Sequence, residues 1–122
     1  MKKLLALILT VFGISTAQAA ELHEASMNFD MENVEPFLEH ANKNLKLGLN
    51  IEQLIKFTSS VRPESEKSIS LQVTYLGNPI PLIYKVFMGD INAPNLYFFT
   101  PSKRLADELN NELVRFANEL GI

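Results

Sequence analysis

Residues 89–95 read Gly-Asp-Ile-Asn-Ala-Pro-Asn, a spacing of side-chain oxygens that invites comparison with a cation loop. An EF-hand loop needs oxygen donors at positions 1, 3 and 5, glycine at 6 and a bidentate glutamate at 12. Counted from Asp90, Asn92 meets position 3, but Pro94, Asn95 and Pro101 fall at 5, 6 and 12. A hard cation is left short of ligands, so no metal site is assigned. The stretch reads instead as a strand connection, with turn freedom from Gly89 and local hydrogen bonds from asparagine.

The chain has two histidines, His23 and His40, and no cysteine. Thiol catalysis, thiolate metal sites and redox chemistry are thereby excluded. His23-Glu24 is not followed by the second histidine of the zinc-helix motif, since Met27 stands there. His40 lies on the flank of a helical apolar stripe. A small hydrolase would have to combine His23 or His40 with a carboxylate such as Glu39. No G-x-S-x-G elbow or glycine-rich phosphate loop occurs, and Ser102 is explained by helix capping. No catalytic residue and no cofactor is assigned.

What stands out is aromatic: Tyr75, Tyr84, Phe87, Tyr97, Phe98 and Phe99 fall within a short span. Much of this must be core. Strand 96–100 carries aromatics on both faces, and an apolar sheet edge requires covering. Either the N-terminal strand covers it or another chain does. Tyr97, Phe99 and Tyr84 are therefore expected to form the apolar part of a binding surface, with Asp90 and Asn92 as its polar margin. The occupant expected is a protein partner, a second copy joined through the 96–100 region, or a small apolar molecule.

The elements that must hold this cluster follow from periodicity. Ala25–Asp30 alternates apolar and polar, as a strand does. Val34, Phe37, Leu38, Ala41 and Leu45 mark one helix face, with Asn33 as N-cap, Pro36 in the first turn and a stop at Gly48. Asn50 and Gln53 resemble a capping box for a second helix; Leu45, Leu47, Leu49 and Ile51 also alternate, which would suit a strand. Residues 59–67 read as a solvated loop. Strands follow at 68–75, 82–88 and 96–100, the first two joined through Gly77-Asn78-Pro79. Leu105, Ala106, Leu109, Leu113, Phe116, Ala117 and Leu120 then stripe a C-terminal helix, with Thr100-Pro101 at its start and Gly121 at its end. The fold class expected is α+β: a single domain in which an antiparallel sheet of three or four strands, with a C-terminal meander, packs against two or three helices.

The N-terminus has its own reading. Met1-Lys2-Lys3, an apolar run over 4–14 and Ala17-Gln18-Ala19 make the three parts of a secretory signal peptide. The run is shorter than the roughly 20 residues that span a bilayer. Cleavage after Ala19 leaves one domain, residues 20–122, with no stable membrane anchor and a periplasmic location. Loss of Lys2 and Lys3 takes the formal charge from −3 to −5, which disfavours nucleic acid as a partner. The function expected is an exported, non-catalytic binding or interaction module using an aromatic-rich sheet face or edge. Its alternatives are an inhibitor or immunity-type protein that neutralises a periplasmic enzyme, and the small hydrolase considered above.

Overall fold

A computed structural model describes residues 21–90 and 92–121; the side chain of Asp90 lies outside the described residues, as does the whole signal-like segment. Strand β1 (His23–Asn28) leads through a 3-10 turn (Met31–Asn33) into helices α1 (Val34–Leu45) and α2 (Ile51–Ser59). Strands β2 (Ser65–Tyr75), β3 (Asn78–Asp90) and β4 (Ala93–Thr100) form the meander, and α3 (Lys103–Leu120) closes the described chain. The fold is α+β, a four-stranded antiparallel sheet in the order β1-β4-β3-β2 with helices on one face.

Alternation sorts the strand residues cleanly. Ala25, Leu82, Tyr84, Val86, Leu96 and Phe98 are buried under the helices, and the register places Tyr84 opposite Phe98 and Phe98 opposite Ala25. The helices answer with Phe37, Leu38 and Ala41 of α1, Leu54 of α2 and Leu105, Leu109 and Leu113 of α3. Aromatic rings run through this core. Phe37 lies 5.2 Å from Phe29, 5.7 Å from Phe116 and 6.2 Å from Phe98 between ring centres. Burying so many large apolar side chains contributes roughly 1.5–3 kcal/mol each and dominates the stability.

Of the two ways of covering strand 96–100, the N-terminal strand is the one found: β1 pairs along it from His23–Thr100 to Asn28–Asn95. Several other local expectations are revised. The polar stretch 65–67 is strand rather than loop, drawn into the ladder by Val86–Met88 of the long β3. The β2–β3 hairpin turns at Leu76-Gly77, with φ of 54° and 83°, and not at Asn78-Pro79. Pro79 and Pro81 face Thr74 and Gln72 across the hairpin. Their missing N–H groups point to the side where β4 has already ended, so the sheet loses no bond.

The helix ends differ in the same way. Lys46 (φ 55°), not Gly48, takes the left-handed position that ends α1. Asn33 makes no side-chain cap bond, since the 3-10 turn runs straight into the helix. Ser102 rather than Thr100 caps α3, accepting from the Leu105 amide at 3.1 Å; Thr100 stays in β4 and is buried. Asn50 caps α2 as its spacing implies, through the Gln53 amide at 3.0 Å. Leu47 is buried between the two helices, and its carbonyl accepts from the Thr74 amide at 2.9 Å, a single strand-like rung against β2.

Candidate functional site

Among the described residues, helices cover one face of the sheet only. The register lays three cross-strand rows on the other face: Glu24–Phe99–Ile83–Ser70, Ser26–Tyr97–Lys85–Ser68 and Asn28–Asn95–Phe87–Glu66. Each row is polar at both ends, on β1 and β2. The interior positions, on β4 and β3, hold Phe99, Ile83, Tyr97 and Phe87, with Lys85 and Asn95 among them. A centre of large rings inside a polar margin is the anatomy of a protein-binding patch.

The centre is ordered by its own contacts. Tyr97 and Phe99 point the same way from β4 and stack nearly parallel, 6.2 Å apart with 4° between their planes. Lys85 sets its ammonium 5.5 Å from the Tyr97 ring centre and 3.3 Å from a Glu66 carboxylate oxygen. Ile83 is buried in the neighbouring row, opposite Phe99. Tyr97, Phe99, Lys85 and Phe87 are each half-buried. The patch is therefore pre-formed, and little rotamer freedom remains to be lost when something docks on it.

The expected binding residues separate on this geometry. Tyr97 and Phe99 are neighbours on the open face. Tyr84 faces the opposite way, wholly buried, with its hydroxyl 2.7 Å from that of Thr58. Thr58 already donates to the Leu54 carbonyl at 2.7 Å, so the Tyr84 hydroxyl is the donor in the pair. Burial pushes the Tyr84 phenol far above the ordinary tyrosine range, against a smaller lowering by Thr58. Asn92 sits exposed in the β3–β4 turn, and the backbone of Asp90 pairs with Ala93.

That turn is tied to β1 by hydrogen bonds. The Asn28 amide nitrogen donates to the carbonyls of Ala93 (3.0 Å) and Pro94 (3.2 Å) and to Asn95 Oδ1 (2.8 Å). The Met31 amide donates to the Asn92 carbonyl at 2.6 Å. Main-chain oxygens of the turn and the Asn95 side-chain oxygen are thus engaged by amide donors. Gly89 does not lie in the left-handed region; a Cβ there would come within 3.2 Å of the Phe87 ring, so small size rather than turn freedom is what the position uses.

Sequence reasoning missed one polar cluster. Glu112, on the buried side of α3, accepts from His40 Nε2 at 2.7 Å and Asn44 Nδ2 at 3.0 Å through one oxygen, and from Arg115 at 3.0 Å through the other. The His40 ring also rests 5.5 Å from Phe116. Only the position of Glu112, between Leu109 and Leu113 on the apolar stripe, could have signalled it. Both carboxylate oxygens are engaged, and the histidine meets Glu112 and Asn44 rather than a hydroxyl. The group joins α1 to α3. Among the described residues no three of histidine, aspartate and glutamate are gathered as metal ligands, and no helix is long and apolar enough to cross a membrane.

No protein-family model matches the chain, and comparisons with curated proteins and with solved structures return no significant match.

Proposed function

We propose that the protein is an exported, non-catalytic binding module that engages another protein through its open sheet face. The observation that supports this reading is the stacked Tyr97–Phe99 pair beside Lys85, held in place on a face that none of the described helices covers. Aromatic rings on a rigid strand supply large contact area at small entropic cost. A flat protein surface suits this face better than a small apolar molecule. The clefts beside β2 (about 320 Å³) and between Met31–Glu35 and Ile55–Ser59 (about 140 Å³) are not lined by Tyr97 or Phe99.

The test is a photo-crosslinking phenylalanine analogue placed at Tyr97, with a control at Asn118 on the outer side of α3. Expressed in its own cells, the Tyr97 probe is expected to yield a discrete adduct with a second polypeptide, lost when Phe99→Asp is added. Equal labelling from both positions would refute the reading. Export carries its own check: the protein recovered from cells is expected to begin at Ala20, by N-terminal mass spectrometry.

A further inference from the structure

The sheet has a second open feature, independent of its face. With β4 sealed by β1, the edges are β1 and β2. The β1 edge is short, and its Glu24 carbonyl is capped by the Asn110 side chain at 3.1 Å. The β2 edge is long and pairs with β3 through an unbroken register from Ser65 to Tyr75, with no bulge to twist it away.

The direction of its backbone groups follows from one bond. The Thr74 amide donates to Leu47, away from β3. By alternation, Gln72, Ser70, Ser68 and Glu66 also turn their N–H and C=O groups outward. Among the described residues no hydrogen bond to these outward groups is found. Edge strands are ordinarily guarded by charge. Here the two charges, though exposed, are each engaged by the protein itself: Glu66 pairs with Lys85 at 3.3 Å, while Lys67 reaches Ser60 Oγ at 3.3 Å and lies 5.7 Å from the Phe57 ring centre. Ser68 to Gln72 is left uncharged, with the half-buried Ile69 and Leu71 between its outward residues. Among the described residues, the segment after α1 hydrogen-bonds to the β2 edge at Thr74 alone. Beyond it a groove of about 320 Å³ separates Gly48–Asn50 from Ser70–Val73.

We infer that the β2 edge pairs with the β2 edge of a second copy of this chain, antiparallel about a twofold axis through Ile69. This register sets 66 opposite 72 and 68 opposite 70, so every outward residue faces an outward residue. Ile69 meets Ile69 of the second copy, Lys67 meets Leu71, and Glu66 meets Gln72; no like charges are opposed. Sliding two residues one way sets Glu66 against Thr74, whose amide is already taken. Sliding the other way sets Gln72 against Glu64, where φ of 60° has ended the strand. The twofold axis is perpendicular to the sheet. The helices of both copies then share one side, and the two open faces join into one surface.

A seven-residue rung pattern buries less than the roughly 1,600 Å² of a standard interface, so association is expected at micromolar to hundreds of micromolar concentration, roughly. Sedimentation equilibrium on the protein as cells accumulate it is expected to show one-chain mass at low concentration and two-chain mass at high. Hydrogen exchange at 66, 68, 70 and 72 is expected to slow in step, while the Ser26 amide on β1 does not change. Ser70→Pro removes an outward N–H and no β2–β3 bond, and is expected to weaken the dimer about ten-fold or more. Ser68→Lys brings two lysines together near the axis with the same result, and carries the test if Ser70→Pro fails to fold. A one-chain mass at all concentrations overturns the inference. So does a dimer indifferent to folded Ser70→Pro and Ser68→Lys, or edge protection that appears only when a foreign extended peptide is added.

Discussion

Neighbouring residues on β4 have opposite fates, and the difference is measurable. Phe98 is buried against Tyr84 and Phe37, so Phe98→Ala is expected to cost about 3–5 kcal/mol in urea unfolding. Phe99→Ala, on the open face, is expected to cost roughly 1–2 kcal/mol, because part of its surface is already wet. The Tyr84–Thr58 pair predicts a second asymmetry. Tyr84→Phe removes a donor and leaves Thr58 bonded to Leu54, at about 0.5–1.5 kcal/mol; Thr58→Val strands the buried phenol, at about 1–3 kcal/mol. Tyr84 also sets an alkaline limit. Its phenol keeps its proton in the folded state beyond the pH, near 10, at which an unfolded tyrosine ionises. Above that pH the unfolded chain binds fewer protons, so stability falls as pH rises, by about 1.4 kcal/mol per unit for this group. Tyr75, also raised by burial and then by Glu108, adds to the slope; Tyr84→Phe is expected to reduce it in pH-dependent unfolding.

At the level of elements, the sequence disclosed what periodicity encodes and hid what contact decides. The apolar stripe of α3 and the alternation of Ile69, Leu71, Val73 and Tyr75 place those elements because burial needs one consistent face. The turn at Leu76-Gly77 was hidden, since leucine is a poor candidate for φ of 54° and only the register of β3 requires it there. Tyr84 was misplaced for a related reason. Both faces of β3 are apolar, and composition alone does not say which one the helices cover. Glu112 was invisible because its partners lie on another helix. Its role there predicts a graded response. Glu112→Ala leaves His40, Asn44 and Arg115 without their shared acceptor and is expected to cost about 1–3 kcal/mol, as stranding part-buried donors does. Glu112→Gln keeps an acceptor oxygen for His40 and is expected to lose less in the same thermal or urea melt.

For the whole molecule, the decisive strand pairing is the longest in sequence. β1 and β4 are the first and last strands of the described chain, and their pairing turns an aromatic edge into a sheet interior. The capped Glu24 carbonyl shows that even-numbered residues of β1 face outward; Ala25 and Met27 therefore carry the bonds to β4. Proline discriminates between the two sets. Ser26→Pro removes only an outward N–H and is expected to leave the unfolding midpoint nearly unchanged. Met27→Pro removes a bond to β4 and is expected to cost about 3 kcal/mol. It should also bring concentration-dependent light scattering, because a detached β1 exposes the backbone of Leu96–Thr100 with Tyr97 and Phe99 beside it. If Met27→Pro were as stable and as monodisperse as Ser26→Pro, β1 would not be what seals β4. The aromatic face would then owe its order to the meander alone, and the edge available for pairing would be β4 as well as β2.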